Sequence, residues 1–348
     1  MTTVLFVDDE PILLRTLRRG LAQHRPRWSA HFAGGAVEAL AWLAENPVDV
    51  VVTDVSMPGM DGLTFLGHVR EQHPHMGRIV LSGNAVGDLR GLVSPHQWLS
   101  KPCSVPAMCA TIDRVQWAKG LVAERPDLAG RVLGQTALPS PPPIYARLVA
   151  AFASRVTRTA DIVAIVGEDP AIAAKLLQLA SSSFFGEAEP VASIERAIAV
   201  LGTQRVGMIV LSAELFRAGA VAPDAIAHSQ RVARIAQLLC GAASDAFVAG
   251  LLHRIGAIAA GDVVGLGERD VARLGGLLLG TWGLPLEIAS AVAFHRDPEA
   301  APDPANPTLA TLVLADALAR GETDDVVAAH AATLRLDPAT AHACARRA

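Results

Sequence analysis

The sequence is short of charge and shows no surplus of one sign. Only 18% of its 348 residues are Asp, Glu, Lys or Arg, and the net charge is −4, which argues against a disordered chain or a nucleic-acid coat protein. No compact basic helix stands in the C-terminal half, so no nucleic-acid partner is expected. Cysteine is scarce as well. Cys103, Cys109, Cys240 and Cys344 form no CxxC pair, which fits reduced thiols in a cytoplasm, with Cys103 and Cys109 in packing roles. The opening MTT passes straight into a strand pattern, without the basic region, apolar stretch and small-residue site of a secretory leader. The most apolar window, LGGLLLGTWGLPLEIASAVAF from Leu274, has bilayer-spanning length but carries Pro285, Glu287 and four glycines. No membrane span is expected from it. Internal repeats are absent too.

What the chain does have is 51% apolar residues and a length that suggests two domains. Its texture changes once. Up to about residue 120, the runs TVLFVDD, DVVVTD, GRIVLSG and QWLSKP read as strands buried on both faces, alternating with helical periods such as PILLRTLRRGLAQH and GAVEALAWLAEN. This is the pattern of a doubly wound parallel α/β domain. Beyond LPSPPP at 138–143 nearly everything has helical spacing, and helix starts are marked by a capping residue followed by proline: Asp169-Pro170, Asn306-Pro307 and Asp337-Pro338. The second part is therefore all-α. The expected boundaries are an α/β domain over 1–122, a Pro/Gly-rich linker over 123–143 acting as a stiff spacer, and a helical domain over 144–348.

In an open parallel sheet, ligands bind beyond the carboxyl ends of the strands. Asp8, Asp9, Asp54, Ser82 and Lys101 all fall at such ends. Three converging carboxylates repel one another unless a cation sits among them, and oxygen ligands at an open site suit magnesium rather than zinc. A lysine and a hydroxyl opposite them suit a phosphoryl group. The stretches LFVDDEP, VVTDVSMPGMDG, LSG and KP resemble, in order and register, response-regulator receiver domains. The resemblance implies a five-stranded parallel sheet and makes Asp54 the phosphoacceptor for a cognate histidine kinase. It further implies Mg2+ ligands in Asp9, Asp54 and the backbone carbonyl of Ser56, helped by Asp8, and phosphoryl contacts from Ser82 and Lys101. Lys101-Pro102 is expected to be cis, and Trp98 stands where the family usually has a smaller aromatic switch residue.

From 138 to about 320, the stretches LPSPPP, IVGEDPAIAAKLLQLASSSFFG, SIERAIAVLG, HSQRVARIA, AGLLHRIG and VLADALA are similar to HDOD domains, helical relatives of the HD metal phosphohydrolases in which catalytic residues are commonly missing. Ser181 departs from the family's usual asparagine. Read from the residues alone, Asp169 caps a helix whose Ile172, Leu176, Leu177 and Leu179 form a core stripe. The related hydrolases use a first histidine, a His-Asp doublet whose aspartate bridges two metals, further histidines and a late aspartate. This chain offers His228, His253, His295 and Asp316, but Arg254 stands in place of the bridge. A guanidinium about 4 Å from a dication costs on the order of 8 kcal/mol at an effective dielectric near ~20. The centre is thus expected to be degraded and metal-free, with Arg254 occupying or bordering the vacated position, paired with Asp316 and near His228, His253 or His295. His330 and His342 are expected at the surface.

Three functions follow from this reading. The favoured one is a cytoplasmic two-component response regulator in which phosphorylation of Asp54 controls how a catalytically inactive HDOD domain binds an unidentified signalling protein. The last helix of the first domain, from about Val105 to Val122, is expected to contact the helical domain or a second receiver in a homodimer. The alternative is a metal-dependent cyclic-nucleotide phosphodiesterase working from a remnant HD-type site. A transcription factor is the third, opposed by the acidic charge.

Overall fold

The computed structural model describes residues 2–25, 27–83, 95–135, 138–140, 142–153, 157–182, 190–211, 216–218, 223–240, 244–261, 263 and 265–348. The SFFG part of the family resemblance, at 183–186, lies outside the described residues, as do 136, 137 and 141 of the expected linker.

The N-terminal part folds as β1 (Thr3–Val7), α1 (Pro11–His24), β2 (Ser29–Ala33), α2 (Ala36–Leu43), β3 (Val50–Asp54), α3 (Gly62–Gln72), β4 (Gly77–Ser82), β5 (Gln97–Ser100) and α4 (Val105–Gly120). Its strands form one parallel sheet in the order β2-β1-β3-β4-β5. The central strands VLFV, VVVTD and GRIVLS are buried throughout, which explains their unbroken apolar runs: helices cover both faces. One turn demands glycine for space. A Cβ on Gly62 would overlap the carbonyl oxygen of Asp54, so the start of α3 can lie against the end of β3 only without a side chain.

The run between the domains corrects an expectation. It is not a spacer: α5 (Pro126–Leu133) forms inside it, with Pro126 in the first turn, and buries Leu128, Ala129, Val132 and Leu133. The buried Arg78 guanidinium donates to the Leu133 carbonyl at 2.6 Å. His96 Nδ1 accepts the Arg78 backbone N–H at 3.2 Å, and its Nε2 lies 3.1 Å from the same Leu133 oxygen and 2.7 Å from the Arg78 guanidinium. The free carbonyl at the helix end is thereby satisfied by a cation, as a helix C-terminus favours.

The rest is helical: α6 (Pro142–Ala153), α7 (Thr159–Val166), α8 (Pro170–Ala180), α9 (Ile194–Leu201), α10 (Thr203–Leu211), α11 (Pro223–Cys240), α12 (Ser244–Leu252), α13 (Ile255–Ala260), α14 (Glu268–Thr281), α15 (Leu286–Phe294), α16 (Pro307–Arg320), α17 (Asp324–Thr333) and α18 (Pro338–Arg347). A short parallel pair, β6 (Leu138–Ser140) with β7 (Phe216–Ala218), ties its start to its middle. The proline-marked starts hold as caps: Asp169 accepts from Ala171 and Ile172, Asn306 from Thr308 and Leu309, and Asp337 from Thr340. The apolar window from Leu274 splits into α14 and α15, and no helix among the described residues is long and apolar enough to cross a membrane.

Candidate functional site

At the carboxyl edge of the parallel sheet, Asp8 follows β1, Asp54 ends β3, Ser82 ends β4 and Lys101 follows β5. One carboxylate oxygen from each of Asp8, Asp9 and Asp54 lies within 4.8 Å of the others. The Lys101 ammonium bridges the two buried acids, at 2.9 Å from Asp8 and 2.8 Å from Asp54. Burial alone would lower the Lys101 pKa, but the hydrogen bonds to Asp54 and Asp8 outweigh it and raise it, so the side chain is a fixed cation. Ser56 lies in the exposed loop two residues beyond Asp54, and Ser82 is buried. Lys101-Pro102 is cis, as the resemblance implied. An all-oxygen donor set beside a lysine fits a hard divalent cation and a phosphoryl group.

The second centre lies inside the helical domain, where α11, α12 and α16 bring His228, His253 and Asp316 within 4.8 Å of one another. His228 Nε2 reaches Asp316 Oδ1 at 3.0 Å, and His253 Nε2 lies 3.7 Å from the same oxygen. His295 packs edge-on against His253, with ring centroids 5.4 Å apart. Both buried histidines give Nδ1–H to the carbonyl three residues back, His253 to Gly250 and His295 to Val292. In each neutral ring the lone pair is therefore on Nε2, and that of His253 lies buried beside Asp316. Burial pushes His253 well below its usual range and His295 down to about 4. Burial works to raise the Asp316 carboxyl, but the His228 hydrogen bond and the neighbouring histidines and Arg296 prevail and hold it below the usual carboxylate range. His330 and His342 lie apart, on α17 and α18.

Here the structure overturns the expected role of Arg254. Its guanidinium turns away from Asp316 and pairs with Glu268 at 3.3 Å. Arg296, directly after His295, takes the place instead: NH1 lies 2.8 Å from Asp316 Oδ2, while NH2 lies 3.1 Å from Glu268. Arg320, one turn after Asp316 on α16, adds a contact at 3.3 Å. Sequence reasoning missed Arg296, although it repeats the His-Arg pairing of residues 253 and 254. The set does not fit a dinuclear metal centre, because the bridging carboxylate is absent and the remaining one is already held by two guanidinium groups.

Between the two centres runs a seam. The outer edge of β5 is read by the helical domain: Gln178 Nε2 donates to the His96 carbonyl at 2.9 Å and Ser182 Oγ to the Trp98 carbonyl at 2.9 Å. Gln97 donates back to the Thr281 carbonyl at 3.0 Å, and Arg114 to the Gly283 carbonyl at 3.2 Å. Four residues along a helix advance about 6 Å and two along a strand about 6.6 Å, so Gln178 and Ser182 match successive outward carbonyls of an edge strand. Beside them α4 packs on α14, where a Cβ on Gly280 would press on Ala118 and Trp117. Trp98, the presumed switch position, is buried in this seam. Ser181 Oγ accepts from the Val191 N–H at 2.9 Å.

Comparison with known proteins agrees with both halves. The response regulator receiver domain model matches residues 4–113, the HDOD domain model matches 138–266, and the HD domain model matches 225–321. The chain is 35% identical over 123 residues to the hydrogenase transcriptional regulatory protein HoxA of Cupriavidus necator, covering 34% of this chain and 25% of HoxA. It is 33% identical over 116 residues to the DNA-binding transcriptional regulator NtrC of Salmonella typhimurium, covering 32% of this chain and 24% of NtrC. The match thus spans about a quarter of the length of these curated relatives. Among solved structures, the MmoQ response regulator of Methylococcus capsulatus is 21% identical, with a TM-score of 0.50, over 60% of this chain and 98% of that one. That likeness is one of fold.

Proposed function

Because this chain is a response regulator that joins a receiver domain to an HDOD domain, we propose that it takes a phosphoryl group from a histidine kinase on Asp54 and uses it to alter how the HDOD domain meets a protein partner. A carboxylate oxygen of Asp54 attacks phosphorus, the P–N bond of the phosphohistidine breaks, and its electron pair leaves with the imidazole. Asp8, Asp9, Asp54 and the Ser56 carbonyl would hold Mg2+, which offsets charge on the phosphoryl oxygens. Lys101 exchanges one Asp54 oxygen for a phosphoryl oxygen, and Ser82 stands ready to donate to another.

One observation carries the reading: Lys101 is fixed to Asp54 at 2.8 Å, and three residues upstream the same segment is bound through the Trp98 carbonyl to Ser182 of the helical domain. A shift of Lys101 toward a phosphoryl group pulls on β5, and β5 is the strand the HDOD domain grips. The transfer is a local charge event read by a docked surface. The supporting experiment is hydrogen exchange with and without beryllofluoride and Mg2+. Exchange should change at residues 96–101 and also at α8 and α14, and a change confined to the receiver would refute the coupling.

The runner-up, hydrolysis of a cyclic nucleotide, draws on His253, whose buried Nε2 has no hydrogen-bond partner. We place it second because the doublet position holds Arg254 and Asp316 is neutralised from within. Cyclic-nucleotide hydrolysis by the purified chain, abolished in His253→Ala, would reverse that order.

A further inference from the structure

An HD centre keeps its late aspartate ionised with metal. This one keeps Asp316 ionised by other means. The carboxylate is buried, with Oδ2 on Arg296 at 2.8 Å and Oδ1 on His228 at 3.0 Å. The Arg296 side chain is itself only 9% exposed and is held from its other nitrogen by Glu268 at 3.1 Å. Glu268 also takes Arg254, so the four side chains form a chain of alternating charge, Arg254, Glu268, Arg296 and Asp316. A buried carboxylate without a counter-charge is costly, and the sequence answers this with the residue after His295 rather than the one after His253.

The donors that would face an ion are nevertheless still aimed inward. His253 is fully buried, its Nδ1–H is committed to Gly250, and its Nε2 is without a partner. His228 Nε2 and Asp316 Oδ1, 3.0 Å apart, share with His253 a cluster of ligand atoms within 4.8 Å of one another. An unpartnered inward lone pair is a cost with no structural return. It is what remains when the ion of a metal centre is replaced and its ligands are kept.

We propose that the Arg296 guanidinium is a built-in substitute for the metal ion of this centre, and that its charge is what keeps divalent cations from His228, His253 and Asp316. The inference deepens the reading of the HDOD domain as non-hydrolytic. It makes that domain's fold independent of metal supply and predicts that removing one side chain creates a metal site. Arg320 does not replace it, being 43% exposed and farther from the carboxylate.

The test uses the full chain and Co2+ alone. Cobalt bound by imidazoles at low coordination number absorbs strongly in the visible, whereas the all-oxygen receiver acids leave it pale. Wild type should show no strong band, and its melting temperature should not respond to a chelator. Arg296→Ala should melt several degrees lower, gain about one equivalent of Co2+ with a strong band, and recover its melting temperature on binding. Arg296→Lys, which keeps the charge, should do neither, and Arg254→Asp, which leaves Arg296 in place, should not gain the band. A strong band in wild type that His253→Ala abolishes overturns the proposal. So does a folded Arg296→Ala or Arg296→Gln that stays pale at saturating Co2+. If both variants unfold, refolding them with Co2+ must restore structure, and failure to do so counts against it. A metal-free wild type that hydrolyses cyclic nucleotides would sink the signalling reading and leave this one standing. A cobalt-binding wild type without hydrolysis would do the reverse.

Discussion

Lys101 holds two acids at once, and this makes it a sensor of what happens to either. Asp54→Asn should abolish labelling by acetyl phosphate, because the nucleophile is gone, while Lys101→Ala should still be labelled yet show no exchange change in α8. Magnesium-independent labelling of the Asp54 variant at the wild-type level would exclude Asp54 as the acceptor. A second lysine makes a different prediction. Lys175 on α8 is fully buried over the Trp282 ring at 5.0 Å, with no charged partner contributing, and burial pushes its pKa down to about 7 from 10.5. Between those values the unfolded chain binds the proton and the folded chain does not, so stability should rise with pH from about 7 to about 10.5, and below about 7 the contribution is flat. Lys175→Met should remove that slope and stabilise the protein near neutrality by roughly 1–4 kcal/mol. Urea unfolding of both proteins across the window decides it, and equal slopes would mean that Lys175 reaches water.

At the scale of elements, the match between α8 and the edge of β5 is the joint through which the domains speak. Removing both donors, Gln178→Ala with Ser182→Ala, leaves two buried carbonyls unsatisfied at roughly 1–3 kcal/mol each. Amide exchange should then accelerate in β5 and at the C-terminal end of α14 while the Asp54 labelling rate stays unchanged. Unaltered exchange would make these bonds incidental. Elements of this kind were legible in the sequence to the degree that their signals are local. Buried parallel strands announced themselves by unbroken valine and isoleucine, and helix starts by Asp-Pro and Asn-Pro, because caps act within three residues. β2, with SAHFA, carries no such signature, and only pairing with β1 makes it a strand. α5 was obscured because its Pro and Gly suggest a loop, and its partners are distant in sequence: Arg78, fifty-five residues before its Leu133 carbonyl, and helices α13 and α14. The acidic cluster was legible because strand ends place residues by rule. The HD centre was legible in its ligands and misread in its cation, because which of two arginines turns inward depends on where α13 begins and α15 ends. Arg254 sits in the N-cap position of α13, and Arg296 follows His295, the C-cap of α15.

On the scale of the whole molecule, the receiver's β5 edge and the α4 face that bears Trp117 and Ala118 are covered by the helical domain of the same chain. A second receiver seeking that face would have to displace it, which ties any homodimer through this surface to prior opening of the seam. The welded α5 bears on where the chain can be cut. A receiver ending at Val122, where the sequence texture changes, would strip the Leu133 carbonyl from Arg78 and His96. A fragment ending at Gln135 keeps the acceptor. Both fragments should unfold cooperatively on heating, and the shorter one should melt lower because buried Arg78 has lost an acceptor, as scanning calorimetry would show. The severable unit at the front of this protein is thus a receiver with a thirteen-residue tail, and a shuffled or transplanted receiver that leaves the tail behind carries a buried cation without its Leu133 acceptor.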